Sequence, residues 1–390
     1  MTIADIPTPA VLVEQDRLDR NIREMQDRAD SQSVRLRPHT KTHRSVELAR
    51  RQLFAGAKGI TVAKVGEAEV FAEAGFDDIR IAYTVVGQEK LERIVRLLDD
   101  ARISFCVDTM EGAEAASDVL DRAGFVAEVL IEVDVGYGRC GVTWNARDSA
   151  SFATRVDALP GLRVVGILTH AGHSYHGPES DQETSEAALR RVSREERDHM
   201  LAFAAALREA GLDAAVDGSL EISIGSTPSM RYFENREEDG FRITEIRPGN
   251  YVFHDTIQFD LGVVPLSHCA LTVLARVVSR HRNPDGSERI FLDSGKKVLT
   301  TDTSSRTPGY GTLLYNARVM EPLPHARITG LSEEHGWVKV SGGSTLSVGD
   351  TVRIVPNHAC VVVNTQSELY VVDGQDVVGR LKVDARGRSV

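Results

Sequence analysis

Between residues 33 and 255, short β-branched runs alternate with longer stretches whose apolar residues recur every three or four positions. The runs VRLRP (34–38), GITVAKV (59–65), DIRIAYTVV (78–86), RISFCVD (102–108), AEVLIEVDV (127–135), LRVVGILTH (162–170), EISIGST (221–227) and EIRPGNYVF (245–253) predict strands. Stretches such as SVELARRQLFAGA, GEAEVFAEAG, EKLERIVRLLDD and EGAEAASDVLDRAG predict helices, several closing on glycine. The longest, 183–211, is rich in Glu, Arg and Ala and should bury one face. Eight strands with helices between them predict a (β/α)8 barrel of the TIM type over residues 21–265. A doubly wound sheet would show the same count.

After residue 266 the pattern changes. ALTVLARVVSRHRNPDGSERIFLDSG reads as two strands around an NPDG turn. HARITGL, WVKVSG, TVRIVPN, CVVVN and ELYVVDG read as further short strands between Gly, Ser and Asp turns. Residues 266–390 therefore predict a mostly antiparallel β-domain, which the strand-like opening TPAVLVEQ (within 1–20) is expected to join.

Composition narrows the class without changing the fold. The 390 residues are 42% hydrophobic and 26% charged, as in ordinary globular proteins, and are long enough for two domains. A net charge of -11 argues against nucleic acid or an anionic membrane as a partner. No apolar run reaches about 18 residues. The opening MTIADIPTPAVLVEQ has neither the basic region nor the apolar stretch of a signal peptide. Cys106, Cys140, Cys269 and Cys360 are scattered without CxxC spacing, so a reduced, cytoplasmic chain is expected.

In a barrel, functional groups gather at the carboxyl ends of the strands. Lys41 lies just beyond the first predicted strand, in LRPHTKTHR, where a desolvated amine can form a Schiff base. The fifth strand leads into DVGYGRCGV with Arg139, and the sixth into THAGHSYH with His170, His173 and Tyr175. The seventh ends in GSTPS with Ser226 and Thr227, and the eighth in RPGNY with Gly249 and Asn250. Small hydroxyl residues and glycine after the last two strands suit a phosphate. A phosphate pocket on one side and a reactive amine on the other match pyridoxal 5'-phosphate, whose aldehyde and phosphate flank one ring. In the β-domain, His358 and Cys360 of VPNHAC are two apart. Extended backbone would put both on one face, where imidazole and thiolate could chelate one metal, zinc by preference.

Taken in order, PHTKTH, TVAKVGEAEVFAEAG, EVDVGYGRCGV, THAGHSY, GSTPS, RPGNYVF, LDSGKK, EEHG and VPNHAC resemble the D-threonine aldolase and D-serine dehydratase family. These are fold-type III pyridoxal-phosphate enzymes related to alanine racemase through the barrel. The resemblance covers about residues 5–385 and implies a homodimer acting on small D-configured 3-hydroxy amino acids. It implies that Lys41 is the Schiff-base lysine, that Arg139 lies near the cofactor's phenolate oxygen and that Tyr175 faces its ring nitrogen. Ser226, Thr227, Gly249 and Asn250 fall on the phosphate-binding positions, and His358 and Cys360 on those of a divalent metal. Cys360 points to zinc and to dehydratase-type β-elimination; manganese or magnesium, and retro-aldol cleavage to glycine and an aldehyde, are the alternatives. A racemase would need a second base and no metal pair, and a barrel-only pyridoxal-phosphate homeostasis protein would lack the β-domain. His43, His254 and His335 read equally well as structural, and Lys296 and Lys297 as a turn at the rim.

Overall fold

A computed structural model of the chain describes residues 1–341 and 344–390. Two compact units are built from it. One comprises residues 25–41, 49–249 and 387–390; the other comprises 1–24, 42–48 and 250–386. The first strand, β1 (Ala10–Glu14), belongs to the second unit.

The first unit is a parallel sheet of β2 (Arg35–Leu36), β3 (Ile60–Val62), β4 (Asp78–Thr84), β5 (Arg102–Val107), β6 (Ala127–Asp134), β7 (Val142–Thr143), β8 (Leu162–Thr169), β9 (Glu221–Ile224) and β10 (Glu245–Ile246). Neighbours run in the order β2-β10-β9-β8-β6-β5-β4-β3, with the short β7 beside β6. The two ends of that order meet, because the Thr61 N–H donates to the Pro38 carbonyl at 2.9 Å and His39 bridges Thr61 in parallel. All eight predicted strands are present and the ring is closed. Helices such as Val65–Glu73, Met110–Arg122 and Ser185–Glu209 alternate with the strands. Thr109 and Thr184 cap the latter two by accepting from the Gly112 and Ala187 N–H groups.

The barrel holds ions among its buried side chains. Arg37 from β2's carboxyl end and Arg80 on β4 are fully buried, and both pair with Glu245 on β10, Arg37 at 2.6 Å. Arg80 also pairs with Glu221 on β9, and Arg37 with Asp78 at 2.7 Å. Ser223 and Ser104 donate to or accept from members of the group, which leaves few lone pairs unmet. Burial pushes the Glu245 carboxyl up, but Arg80 and Arg37 outweigh it and hold the group well below the usual carboxylate range. Removing one partner leaves a buried charge, so Glu245→Ala is expected to cost about 3–5 kcal/mol in equilibrium denaturation. Because the folded pKa is depressed, this contribution is present above the unfolded value of about 4.3 and disappears as pH falls toward the folded one. The wild-type advantage over the variant should therefore shrink below about pH 4, and an advantage that grows with acidity would refute the assignment.

The second unit carries, among the described residues, a ten-stranded sheet. Its strands are β1, β11 (Leu271–Arg282), β12 (Glu288–Leu292), β13 (Thr312–Asn316), β14 (Glu321–Pro322), β15 (Ala326–Leu331), β16 (Gly336–Val340), β17 (Thr351–Val355), β18 (Glu368–Asp373) and β19 (Asp376–Lys382). The main path is β14-β13-β17-β11-β1-β18-β19; β12, β16 and β15 branch from β11. The opening strand does join this sheet, antiparallel to β11 and parallel to β18, and its Leu12 packs with Leu274 and Val372.

One element differs from expectation. CVVVN is not a strand: Ala359–Asn364 is a short helix, with His358 as its extended N-cap. The β-branched run is overridden because a buried carboxylate 104 residues earlier, Asp255, accepts from the Ala359 N–H at 2.9 Å and supplies the missing cap. His358 and Cys360 thus do not leave one face of a strand.

Candidate active site

Each predicted residue of the barrel unit lies at or beyond the carboxyl end of a strand. Lys41 sits in a single 3-10 turn, Thr40–Thr42, beyond β2. That turn is tied down from below. The Thr40 hydroxyl donates to the Thr61 carbonyl at 3.0 Å and the His39 N–H to the Pro248 carbonyl at 3.0 Å. His39 and Thr40 are buried while the Lys41 side chain is exposed. His170 follows β8, with Nδ1 2.9 Å from the Gly225 carbonyl; a carbonyl only accepts, so Nδ1 carries the proton. Burial, then Lys41, pushes His170 down to about 3, with Arg139 and Arg247 adding to the effect. His39 is likewise held neutral by burial, then by Lys41 and Arg247. Lys41, His39, His170, Arg139 and Arg247 all lie beyond the carboxyl ends of barrel strands.

Arg139 lies on the loop after β6. Asp134 organises that loop by accepting from the Gly136, Tyr137 and Gly138 N–H groups at 2.9–3.0 Å. The half-exposed Arg139 reaches Glu132 at 3.5 Å. The Cys140 thiol donates to the same Glu132 oxygen at 3.1 Å, and burial with that carboxylate raises it to about 11, so it is an inert thiol. Tyr175 ends the 3-10 turn Gly172–Tyr175. A Cβ at Gly172 would lie 2.2 Å from the Tyr137 ring, so any larger residue there would have to push that ring aside. Ser226 and Thr227 are buried directly after β9, beyond Gly225, where a φ of +147° and the 2.8 Å at which a Cβ would meet the Arg247 backbone nitrogen require glycine.

The structure separates one predicted pair. Gly249 belongs to the barrel unit, but Asn250 belongs to the second unit and its side chain is engaged there. Its Nδ2 donates to Asp255 at 2.6 Å and lies 3.9 Å from the Cys360 sulfur, and its Oδ1 is buried with no hydrogen-bond partner. The Asn250 side chain is therefore grouped with Cys360 rather than with Ser226 and Thr227.

Within the second unit, His358 and Cys360 stand two residues apart, the first as N-cap and the second in the first turn of the short helix. His358 Nδ1 is 2.5 Å from Asp302 Oδ2, and the Cys360 sulfur is 3.3 Å from the Thr42 hydroxyl. Burial lowers His358, but Cys360 and Asp302 prevail and raise it; burial raises Cys360, but His358 and the Thr42 hydroxyl bring it below an ordinary thiol. No group of three or more His, Cys, Asp and Glu side chains gathers around one point among the described residues. The donor set is one imidazole nitrogen and one sulfur, with a carboxylate behind the imidazole in the arrangement that orients metal-bound histidines. That chemistry fits a divalent ion with open positions, zinc first.

Three side chains escaped the sequence reading. Arg247 is fully buried, donates to Ser223 Oγ at 2.9 Å and to the Thr169 carbonyl, and is brought down to about 10 by burial. Its signal, an arginine ahead of Pro-Gly at a strand end, was available in RPGNY. Asp302 has no local signal, since its partner is 56 residues away. Glu196 looks like any acid on a solvated helix. Of the uncertain histidines, His43 and His254 are buried and His335 is exposed on the β15–β16 turn. Lys296 and Lys297, read as a turn or rim feature, open a short helix, Lys296–Leu299, and pair with Glu333 and Glu334 at 2.6 and 2.5 Å.

Comparison with known proteins matches residues 13–256 to the family described as alanine racemase, N-terminal domain, and residues 270–372 to a putative serine dehydratase domain. D-threo-3-hydroxyaspartate dehydratase of Delftia sp. is 34% identical over 371 residues, covering 92% of each chain. D-threonine aldolase of Arthrobacter sp. is 34% identical over 393 residues, covering 99% of this chain and 94% of that one. The chain belongs to the D-threonine aldolase and D-serine dehydratase family. It is accordingly a pyridoxal-phosphate-dependent lyase with the fold-type III architecture. Among solved structures, the Delftia dehydratase superposes with a TM-score of 0.85 at 32% identity over 98% of both chains. D-threonine aldolase of Filomicrobium marinum gives 0.83 at 29% identity, covering 99% of this chain and 98% of that one. Alanine racemase of Clostridium difficile, at 14% identity and a TM-score of 0.66, shares the fold alone. The barrel mouth offers groups that fit the family's cofactor: the buried hydroxyl residues Ser226 and Thr227 follow β9, and a lysine, Lys41, stands beyond β2. No helix among the described residues is long and apolar enough to cross a membrane.

Proposed function

We propose that this lyase removes the hydroxyl group and the amino group of a D-configured 3-hydroxy-α-amino acid, leaving a keto acid and ammonia. The carrying observation is the His358–Cys360 pair with Asp302 set 2.5 Å behind the imidazole. A β-hydroxyl is a poor leaving group, and His358 and Cys360 would hold a divalent ion that would supply Lewis acidity there. The Delftia relative, a dehydratase, is also known as a mutant in a metal-free form, which supports a metal in this family.

Pyridoxal phosphate bound at the barrel mouth would supply the electron sink for the bond broken at the α-carbon. The chain's own residues supply the rest. Lys41 is the amine that would hold the cofactor's aldehyde carbon at rest and carry a proton to or from the α-carbon when released. Thr227 and Gly249 would receive the phosphate, and Ser226 and Asn250 would take part through their backbones, their side chains being committed to Ser229 and Asp255. Arg139 would stand near the phenolate oxygen. Tyr175, an uncharged partner for the ring nitrogen, would leave the ring less strongly electron-withdrawing than an acid would. His170 and His39, neutral in the folded protein, add no competing charge. The active form is taken to be a homodimer.

A retro-aldol cleavage to glycine and an aldehyde is the second reading, supported by the 34% identity to the Arthrobacter aldolase. Offering D-serine, D-threonine and 3-hydroxy-D-aspartate to the purified holoenzyme separates the two. Keto acid with equimolar ammonia is the expected product. Glycine and aldehyde as the only products would replace the elimination reading with the aldol one.

A further inference from the structure

Glu196 is a fully buried carboxylate whose hydrogen-bond partners all lie on loops at the open end of the barrel. It projects from the helix Ser185–Glu209. Its Oε1 accepts from the Gly225 N–H at 2.9 Å and from the Ala171 N–H at 3.3 Å, and its Oε2 accepts from the Ser229 hydroxyl at 2.7 Å. Ala171 begins the loop that leads from β8 to Tyr175, and Gly225 begins the loop from β9 that carries Ser226 and Thr227. One side chain thus ties together two loops from neighbouring strands. Gly225 needs such a tie, because its positive φ turns it out of the strand and a buried N–H must find a partner.

The hydroxyls beside it form a directed chain. A carboxylate only accepts, so Ser229 gives its proton to Glu196. The Ser229 oxygen then accepts from Ser226, 3.0 Å away, and the Ser226 oxygen accepts from Ser174, 2.8 Å away. Burial pushes the Glu196 carboxyl up, and the three donors with Arg247 oppose it. Oε1 faces two N–H groups and has no room for a proton. All three hydroxyl protons therefore point toward Glu196. A phosphate offers only acceptors, so a Ser226 proton turned inward is not available to it.

We infer that Glu196 is a positioning residue for the phosphate of the cofactor: it locks the β8 and β9 loops together and draws the Ser226 hydroxyl inward, leaving the phosphate to the loop's backbone N–H groups. This rests on the reading that the β9 loop binds that phosphate. The test uses holoenzyme reconstituted with pyridoxal phosphate and reads two quantities, the dissociation constant of the cofactor and the phosphorus NMR resonance of its bound phosphate. Glu196→Gln should weaken cofactor binding roughly tenfold or more and move the resonance. Ser229→Ala keeps both N–H ties but frees the Ser226 proton, so it should move the resonance with at most about a threefold change in affinity. Wild-type affinity and an unmoved resonance in both variants would overturn the inference. Should Glu196→Gln fail to fold, an unmoved resonance in Ser229→Ala overturns it alone. A wild-type protein that takes up no pyridoxal phosphate would instead overturn the proposed function, and this inference with it.

Discussion

Lys41→Ala should give a folded protein that binds pyridoxal phosphate without the absorbance band at about 420 nm of a protonated imine, and whose turnover falls roughly a thousandfold or more. Folding should survive because the side chain is exposed and its turn is anchored by neighbours, through the Thr40 hydroxyl and the His39 backbone. Activity should not, because one amine is asked both to hold the cofactor and to move the α-proton. Arginine should not rescue it, since a guanidinium that stays protonated can do neither. A Lys41→Ala protein that keeps the band and most of its turnover would remove Lys41, and with it the present reading of the barrel mouth.

Metal removal is the second large effect. Exhaustive chelation, verified by elemental analysis, should abolish product formation, and zinc should restore it. His358→Ala should abolish tight zinc binding. Asp302→Ala should weaken it about 10- to 100-fold, because the imidazole loses the carboxylate that orients it. Cys360→Asp exchanges a soft donor for a hard one and should shift preference from zinc toward manganese or magnesium. Undiminished turnover in protein shown to be free of metal would take His358, Cys360 and Asp302 out of the reaction.

The strands of the barrel were legible because β-branched runs recur between helical stretches, even where the strand itself is short. VRLRP and EIRPGNYVF yield only two residues of ladder each, β2 and β10. Their charged residues were the misleading part. Arg37, Arg80, Glu221 and Glu245 would ordinarily mark solvent, yet they satisfy one another inside the ring. Lys41, Ser226 and Thr227 were legible from their places at strand ends. Asp302, Glu196 and the helix at Ala359–Asn364 were not. Each depends on a partner tens of residues away, and no local pattern encodes such a pairing. The side-chain position of Asn250 was hidden differently, because Asp255, only five residues on, claims an amide that sequence order places beside a phosphate motif.

The ionic floor of the barrel also constrains how the chain can reach its native state. Its members come from β2, β4, β9 and β10, so Arg37 meets Glu245 across 208 residues and Arg80 meets Glu221 across 141. Until the last two strands arrive, Arg80 has no carboxylate and must stay hydrated, and Arg37 has only Asp78. Partly closed rings are thereby disfavoured, so assembly should be all-or-none and slow, as long-range pairing requires. A nascent chain still short of residue 221 would remain open on the ribosome, whatever helices it had already formed.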